Sequence, residues 1–164
     1  MRIYGLVQDS IVDGPGFRFV CFVQGCTHHC EGCHNPDSHD PAGGREMTVE
    51  EVAAQLLRNP LTDGLTLSGG EPFQQAEDCL QLAKIAHANG LNVWSYTGYT
   101  YEHIMAQGTQ AQKDLLSELD VLVDGPFILA QRSLSLLWRG SKNQRVIDVK
   151  ASCCTGNVVT IPDP

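Results

Sequence analysis

The sequence predicts an α/β fold built on a parallel sheet, and three observations lead there. Short runs rich in Val, Ile, Phe and Leu alternate with longer stretches of helical period. Clusters of Gly, Pro, Asp and Asn punctuate them. The chain has 164 residues, of which 42% are hydrophobic, which suits one domain around one core. Strands that alternate with helices form right-handed βαβ units and hence a parallel sheet.

The elements follow in order. Residues 2–8 and 17–24 read as strands, the second as Phe17-Arg18-Phe19-Val20-Cys21-Phe22-Val23. Asp13-Gly14-Pro15-Gly16 between them is turn chemistry. Residues 25–47 carry Gly, Pro, His, Cys and Asp without a period and read as a long loop, which in compact domains usually serves function. Thr48 opens a helix that runs to about Asn59. Thr48 and Glu51 have capping-box spacing, and Val52 and Leu56 belong to its apolar face. Residues 64–67 form a short strand ended by Ser68-Gly69-Gly70-Glu71-Pro72. Residues 73–89 are helical, with Ala76, Leu80, Ala83 and His87 near one face and Gly90 as the stop. Residues 91–95 are a strand followed by Tyr96-Thr97-Gly98-Tyr99, and residues 101–119 are helical with an interruption near Gly108. Residues 120–123 are a strand leading to Asp124-Gly125-Pro126; residues 145–149 and 158–161 supply two more.

Composition narrows the function classes. The net charge is −8 and no Lys/Arg cluster is long enough to track a phosphate backbone, which argues against direct nucleic-acid binding. No apolar run approaches the roughly 20 residues of a spanning helix. The start, Met1-Arg2-Ile3-Tyr4-Gly5, lacks the apolar core of a signal peptide. The expected location is the cytoplasm, with no membrane partner. Disulfides are disfavoured there, so seven cysteines need another account. Three are packed within eight residues and four are scattered, the pattern of a metal site plus bystanders.

The packed three lie in Gly25-Cys26-Thr27-His28-His29-Cys30-Glu31-Gly32-Cys33-His34-Asn35-Pro36. Thiolates bind soft or borderline metals, so zinc and an iron–sulfur cluster are the candidates for Cys26, Cys30 and Cys33. Zinc would take a fourth ligand from His28, His29, His34 or His39, giving an interaction module. Zinc ligands commonly come as two separated pairs, whereas these three thiols share one short loop. A four-iron cluster with three cysteines keeps one iron open to a substrate. In the Ser68-Gly69-Gly70-Glu71-Pro72 turn, two glycines let the backbone approach a ligand closely. Glu71 can accept hydrogen bonds from an ammonium, and Pro72 fixes the exit into the helix. The cysteine loop, this turn and the Tyr-Thr-Gly-Tyr turn all fall at strand ends where α/β sheets build their sites.

The Cys-x3-Cys-x2-Cys spacing after an N-terminal strand resembles the radical S-adenosylmethionine superfamily, and the Gly-Gly-Glu-Pro turn is similar to its second motif. The resemblance implies an incomplete parallel (βα) barrel, a [4Fe-4S] cluster on the three cysteines, and S-adenosyl-L-methionine bound by Gly32, Cys33, His34, Ser68, Gly69, Gly70 and Glu71. One departure is that Gly32 stands where many members have an aromatic residue, and His34 is a candidate substitute wall against adenine. Asp13-Gly14-Pro15-Gly16-Phe17-Arg18 looks like the opening segment of glycyl-radical-enzyme activases. Val93-Trp94-Ser95-Tyr96-Thr97-Gly98-Tyr99, Asp120-Val121-Leu122-Val123-Asp124-Gly125-Pro126-Phe127 and Trp138-Arg139-Gly140-Ser141-Lys142-Asn143-Gln144-Arg145 resemble the branch that activates anaerobic ribonucleoside-triphosphate reductase. That branch implies reductive cleavage of the cofactor to a 5′-deoxyadenosyl radical. It also implies a flavodoxin- or ferredoxin-type reductant and, as protein substrate, a glycine of the large subunit of anaerobic ribonucleotide reductase. The alternatives are an activase of another glycyl radical enzyme, such as pyruvate formate-lyase, or a radical enzyme with a small-molecule substrate. The resemblance covers residues 1–150 and leaves residues 151–164 as a tail of unassigned role.

Remaining residues divide by context. Cys21 and Cys79 read as core, where free cysteine acts as a small hydrophobe. Cys153 and Cys154 are vicinal in the tail, as a redox pair, an accessory metal site or neither. His28 and His29 read as solvated loop residues or partner contacts, and His87 and His103 as helix residues without function. Asp124 is read either as a ribose ligand or as a cap of the Gly-Pro turn. Tyr96 and Tyr99 suit stacking on adenine or packing on a partner. Arg139, Lys142 and Arg145 form a modest basic group.

Overall fold

The computed structural model describes residues 1–162 of the chain. It is α/β, with a seven-stranded sheet in the order β3-β1-β2-β4-β5-β6-β7. The strands are β1 (Arg2–Ser10), β2 (Arg18–Val23), β3 (Arg45–Glu46), β4 (Gly64–Gly69), β5 (Asn92–Tyr96), β6 (Val121–Asp124) and β7 (Arg145–Asp148). The helices are α1 (Val49–Leu56), α2 (Ala76–Ala88), α3 (Tyr101–Gln107), α4 (Gln110–Glu118) and α5 (Val149–Thr155).

The sheet is mixed rather than all parallel. β2, β4, β5 and β6 are parallel, and helices connect β2 to β4, β4 to β5 and β5 to β6. β1 and β7 run antiparallel to β2 and β6, and β3 antiparallel to β1. The connections explain this. A parallel neighbour needs a crossover, usually a helix, whereas an antiparallel one needs only a return loop. Residues 11–17 and 125–144 return their strands without an α-helix.

Elsewhere the boundaries move for local reasons. The Thr48–Glu51 capping box is present, with Thr48 Oγ1 accepting from the Glu51 N–H at 3.1 Å. The residues 73–89 helix begins as a 3-10 turn, Pro72–Gln75, before α2. The break near Gly108 separates two helices, because Thr109 starts α4 with its own capping box to Gln112. The loop 25–47 contains a 3-10 turn (Pro36–Ser38) and the two-residue β3. Asp148 caps α5, which begins before residue 150 and reaches Thr155 in a segment with no helix expected. The strand expected at residues 158–161 is reduced to one bridge, Ile147 with Thr160. Asp163 and Pro164, the end of the expected tail, lie outside the described residues.

Alternation along the strands sorts the sheet's two faces. Phe19, Cys21, Val23, Leu65, Leu67, Val93, Leu122 and Ile147 pack with residues of all five helices in one core. On the other face, Trp94, Val121, Val123 and Val146 form a smaller cluster with Tyr96 and Trp138. Arg18 is fully buried there. Its guanidinium donates to Thr66 Oγ1 (2.7 Å), Leu65 O (2.9 Å) and Pro15 O (3.1 Å) and lies over Trp94. Thr66 Oγ1 in turn donates to Asp13 O at 2.8 Å. Arg18 thereby pins the Asp-Gly-Pro-Gly turn to the helix-free face. Among the described residues no helix is long and apolar enough to cross a membrane.

Candidate functional site

The carboxyl ends of β4, β5 and β6 open on a cavity of about 420 Å³. Cys26, Cys30 and Cys33 line one side and Ser68, Gly69, Gly70 and Glu71 the other. The cysteine loop leaves β2 and is held at both ends. The Gly25 and Cys26 N–H groups donate to the Ser38 and His39 carbonyls at 2.6 and 3.1 Å, closing the loop on itself. The Glu71 N–H donates to Gly25 O at 2.8 Å, joining the loop to the glycine turn. That approach requires glycine: a Cβ on Gly70 would lie 2.3 Å from Gly25 O. Gly69 has φ +98° with backbone on the side a Cβ would occupy.

Glu71 is the joint of the site. It is 1% exposed. Its carboxylate accepts from the Phe73 N–H (2.9 Å), the Gly98 N–H (2.7 Å), the Thr97 hydroxyl (3.0 Å to either oxygen) and His28 Nε2 (2.7 Å). Four donors fill the acceptor capacity of a carboxylate, so its burial is compensated. The side chain expected to meet an ammonium thus joins the glycine turn, the Tyr-Thr-Gly-Tyr turn and the cysteine loop. Ser68, Gly69 and Gly70 line the cavity beside it.

The cavity collects most of the expected residues. His34 lines it beside Phe127, with ring centroids 5.2 Å apart. Tyr96 lines it and donates its hydroxyl to Trp138 O at 2.5 Å; burial pushes its phenol well above the ordinary range. Gly32 is the exception. It has φ +75° and abuts Leu129 and Phe127 instead of lining the cavity. Tyr99 also stands outside, stacked on His103 and edge-on to His28. Asp124 does neither job expected of it: 1% exposed, it accepts from the Tyr101 N–H (2.8 Å) and Arg145 Nε (3.0 Å). Arg145 also pairs with Glu102, and both carboxylates raise its pKa further. Arg145 is therefore spent inside the fold. His28 is tied to Glu71 rather than solvated. Thr97, Gly98, Phe127 and Gln144 join the site as additions; Thr97 and Gly98 belonged to an unusual turn, but their link to Glu71 spans 26 and 27 residues.

The donors suit a thiophilic metal group, a cluster or a single ion. Cys26, Cys30 and Cys33 are half-buried around one cavity. Burial, above all, holds the Cys26 thiol above its ordinary value, and the Glu71 carboxylate adds to this while the His28 N–H opposes it. A bound cationic centre reverses that preference and keeps the thiolate. A lone zinc would draw its ligands into one tetrahedron. Of the histidines that could complete such a set, His39 has its Nε2 3.4 Å from Cys33 Sγ.

Residues 12–147 match the family described as a 4Fe-4S single cluster domain. The chain is 36% identical over 154 residues to the anaerobic ribonucleoside-triphosphate reductase-activating protein of Salmonella typhi, covering 89% of this chain and 97% of that one. The proteins of the same name from Escherichia coli strain K12 and Enterobacteria phage T4 are each 38% identical, covering 84% of this chain and 92% and 87% of theirs. This chain belongs to the family of anaerobic ribonucleoside-triphosphate reductase-activating proteins. All residues lining the cavity, from Val12 to Gln144, fall inside the matched cluster domain. The matched family is one of iron–sulfur cluster domains, and the three clustered cysteines lie inside the matched residues.

Proposed function

We propose that this chain activates anaerobic ribonucleoside-triphosphate reductase. Cys26, Cys30 and Cys33 would hold a [4Fe-4S] cluster with one iron open to S-adenosyl-L-methionine. The observation that carries this reading is one cavity walled by three thiols and by the Gly-Gly-Glu turn. Loaded with one electron from a flavodoxin- or ferredoxin-type donor, such a cluster supplies the reductive cleavage of S-adenosyl-L-methionine whose 5′-deoxyadenosyl radical takes hydrogen from a glycine of the reductase.

The chain's own residues orient and exclude. The backbone at Ser68, Gly69 and Gly70 receives the methionine end. His34 and Phe127 wall the adenine side, and Cys33 adjoins both. Glu71 fixes the three segments relative to one another, so little reorganisation is left to ligand binding. Four parallel strands with every helix on one face support the reading of an incomplete barrel of the radical S-adenosylmethionine type, extended by antiparallel edges. Residues 1–150 would carry this work in the cytoplasm, and residues 151–164 would be an appendage to it.

Electron paramagnetic resonance on the reduced, reconstituted protein tests the reading. A four-iron signal that changes on adding S-adenosyl-L-methionine is expected, followed by a glycyl radical on the added reductase. Cys26→Ala, Cys30→Ala and Cys33→Ala should each abolish the cluster signal, while Cys21→Ala and Cys79→Ala keep it. A colourless protein with one zinc and no sulfide would refute the cluster. A radical formed on pyruvate formate-lyase instead of the reductase would redirect the substrate.

A further inference from the structure

His28 lies between two of the three loop cysteines, yet its side chain is only 18% exposed. The ring occupies a fitted slot. A Cβ on Gly98 would stand 2.5 Å from its Cδ2, so only glycine leaves room for it. The Tyr99 ring meets it edge-on with centroids 4.6 Å apart. From this slot Nε2 reaches Glu71 Oε1 at 2.7 Å, and Glu71 directly follows the two glycines of the turn. A second side-chain link, Gln74 Nε2 to Thr27 Oγ1 at 2.6 Å, is exposed, so water can replace it. Water has little access to the His28–Glu71 bond. Its loss leaves Glu71 Oε1 with the Gly98 N–H and the Thr97 hydroxyl but one charge-assisted donor fewer, at an oxygen that water barely reaches.

We propose that His28 is a positioning residue that couples the cysteine loop to the glycine turn, so that a loaded loop also sets the turn for S-adenosyl-L-methionine, in addition to the contact at the open iron. The proposal rests on the functional reading above. Coupling between two ligands needs an element whose arrangement both of them sense. His28 and Glu71 form that element: one end moves with the thiols, the other with the backbone that faces the methionine group. Without the bond, the loop and the turn stay joined through the Glu71 N–H to Gly25 O bond, but the Glu71 side chain no longer follows the loop.

The test uses reconstituted wild type, His28→Leu, His28→Gln, Glu71→Gln and the double variant His28→Leu/Glu71→Gln. Iron and sulfide per chain report loading. Equilibrium dialysis and the line shape of the reduced cluster report the affinity for S-adenosyl-L-methionine. His28→Leu should weaken that affinity about tenfold, the scale of one hydrogen bond to a buried charge. His28→Gln keeps a donor of similar reach and should recover to within about threefold of wild type. Wild-type affinity in His28→Leu overturns the proposal, as does a His28→Gln variant no better than His28→Leu, which would mean shape alone matters. If His28→Leu does not load a cluster, the double variant decides. Affinity and loading equal to those of Glu71→Gln alone support the coupling, and an additional independent loss overturns it. A loaded wild-type protein that ignores S-adenosyl-L-methionine would sink the functional reading itself, whatever His28 does.

Discussion

Cys21 and Cys79 have no solvent exposure, whereas Cys153 and Cys154 lie exposed on α5. Burial pushes the Cys21 thiol up to about 12 and the Cys79 thiol well above its ordinary value. Both are protonated at neutral pH and react slowly, because the thiolate is the nucleophile. Brief alkylation of the folded protein should therefore label Cys153 and Cys154 and spare Cys21 and Cys79 until denaturant is added; peptide mass mapping reads this directly. Labelling of Cys21 or Cys79 at the same rate would mean that the core opens. Pattern made these two legible in the sequence, since Cys21 alternates on a strand and Cys79 adjoins an apolar helix face. His28 was illegible for the opposite reason. Its partner Glu71 is 43 residues away, and a histidine in a polar loop carries no local sign of burial. Asp124 likewise left two readings open until the fold brought the Tyr101 N–H and Arg145 to it.

Among the elements, α2, α4 and the residue that precedes β6 meet at His87. Its Nδ1 lies 2.8 Å from Glu118 Oε1 and its Nε2 2.8 Å from Asp120 Oδ2, and the same Asp120 oxygen accepts the Val93 N–H. Burial pulls the imidazole pKa down, but the hydrogen bonds and charges of both carboxylates outweigh it, and the net shift is upward from 6.5. A raised folded value means that the stabilisation is complete below the unfolded value and is lost as pH rises through the folded one. The gap in urea midpoint between wild type and His87→Gln should accordingly be widest near pH ~6 and narrow in mild alkali. A gap that widens with pH would contradict the pairing. Local signals announced the helices well, because a capping box such as Thr48–Glu51 is written in four residues. The antiparallel directions of β1 and β7 were not written anywhere local. They depend on the absence of a crossover helix, and residues 125–144 are too long and apolar to exclude one by inspection. α5 escaped for want of an apolar period, since only Val149 and Ser152 of its seven residues are buried.

For the whole molecule, the distribution of layers matters more than the count of strands. With every helix on one face, the other face is covered only by loops, chiefly residues 11–17 and 125–144. Leu136 and Trp138 of the second loop line the cavity, as do Val12 and Asp13 of the first. A cavity flanked by loops suits a substrate that is itself a protein segment. Cofactor cleavage should then be slow in the isolated chain and faster once the reductase covers the opening, because closing a site expels water and improves alignment. Measuring 5′-deoxyadenosine formed with and without the reductase decides this, and equal turnover would count against it.

The chain has only two tryptophans, and the fold brings them together. Trp94 is 5% exposed and meets Trp138 edge-on, with centroids 5.0 Å apart, on the side of the sheet that carries the cavity. All indole emission from this protein therefore originates beside the site, and none from the helical layer. Near-ultraviolet fluorescence becomes a label-free gauge of that one region. A visible-absorbing iron–sulfur centre entering the cavity should dim it in proportion to loading, while an event confined to the helices leaves it unchanged.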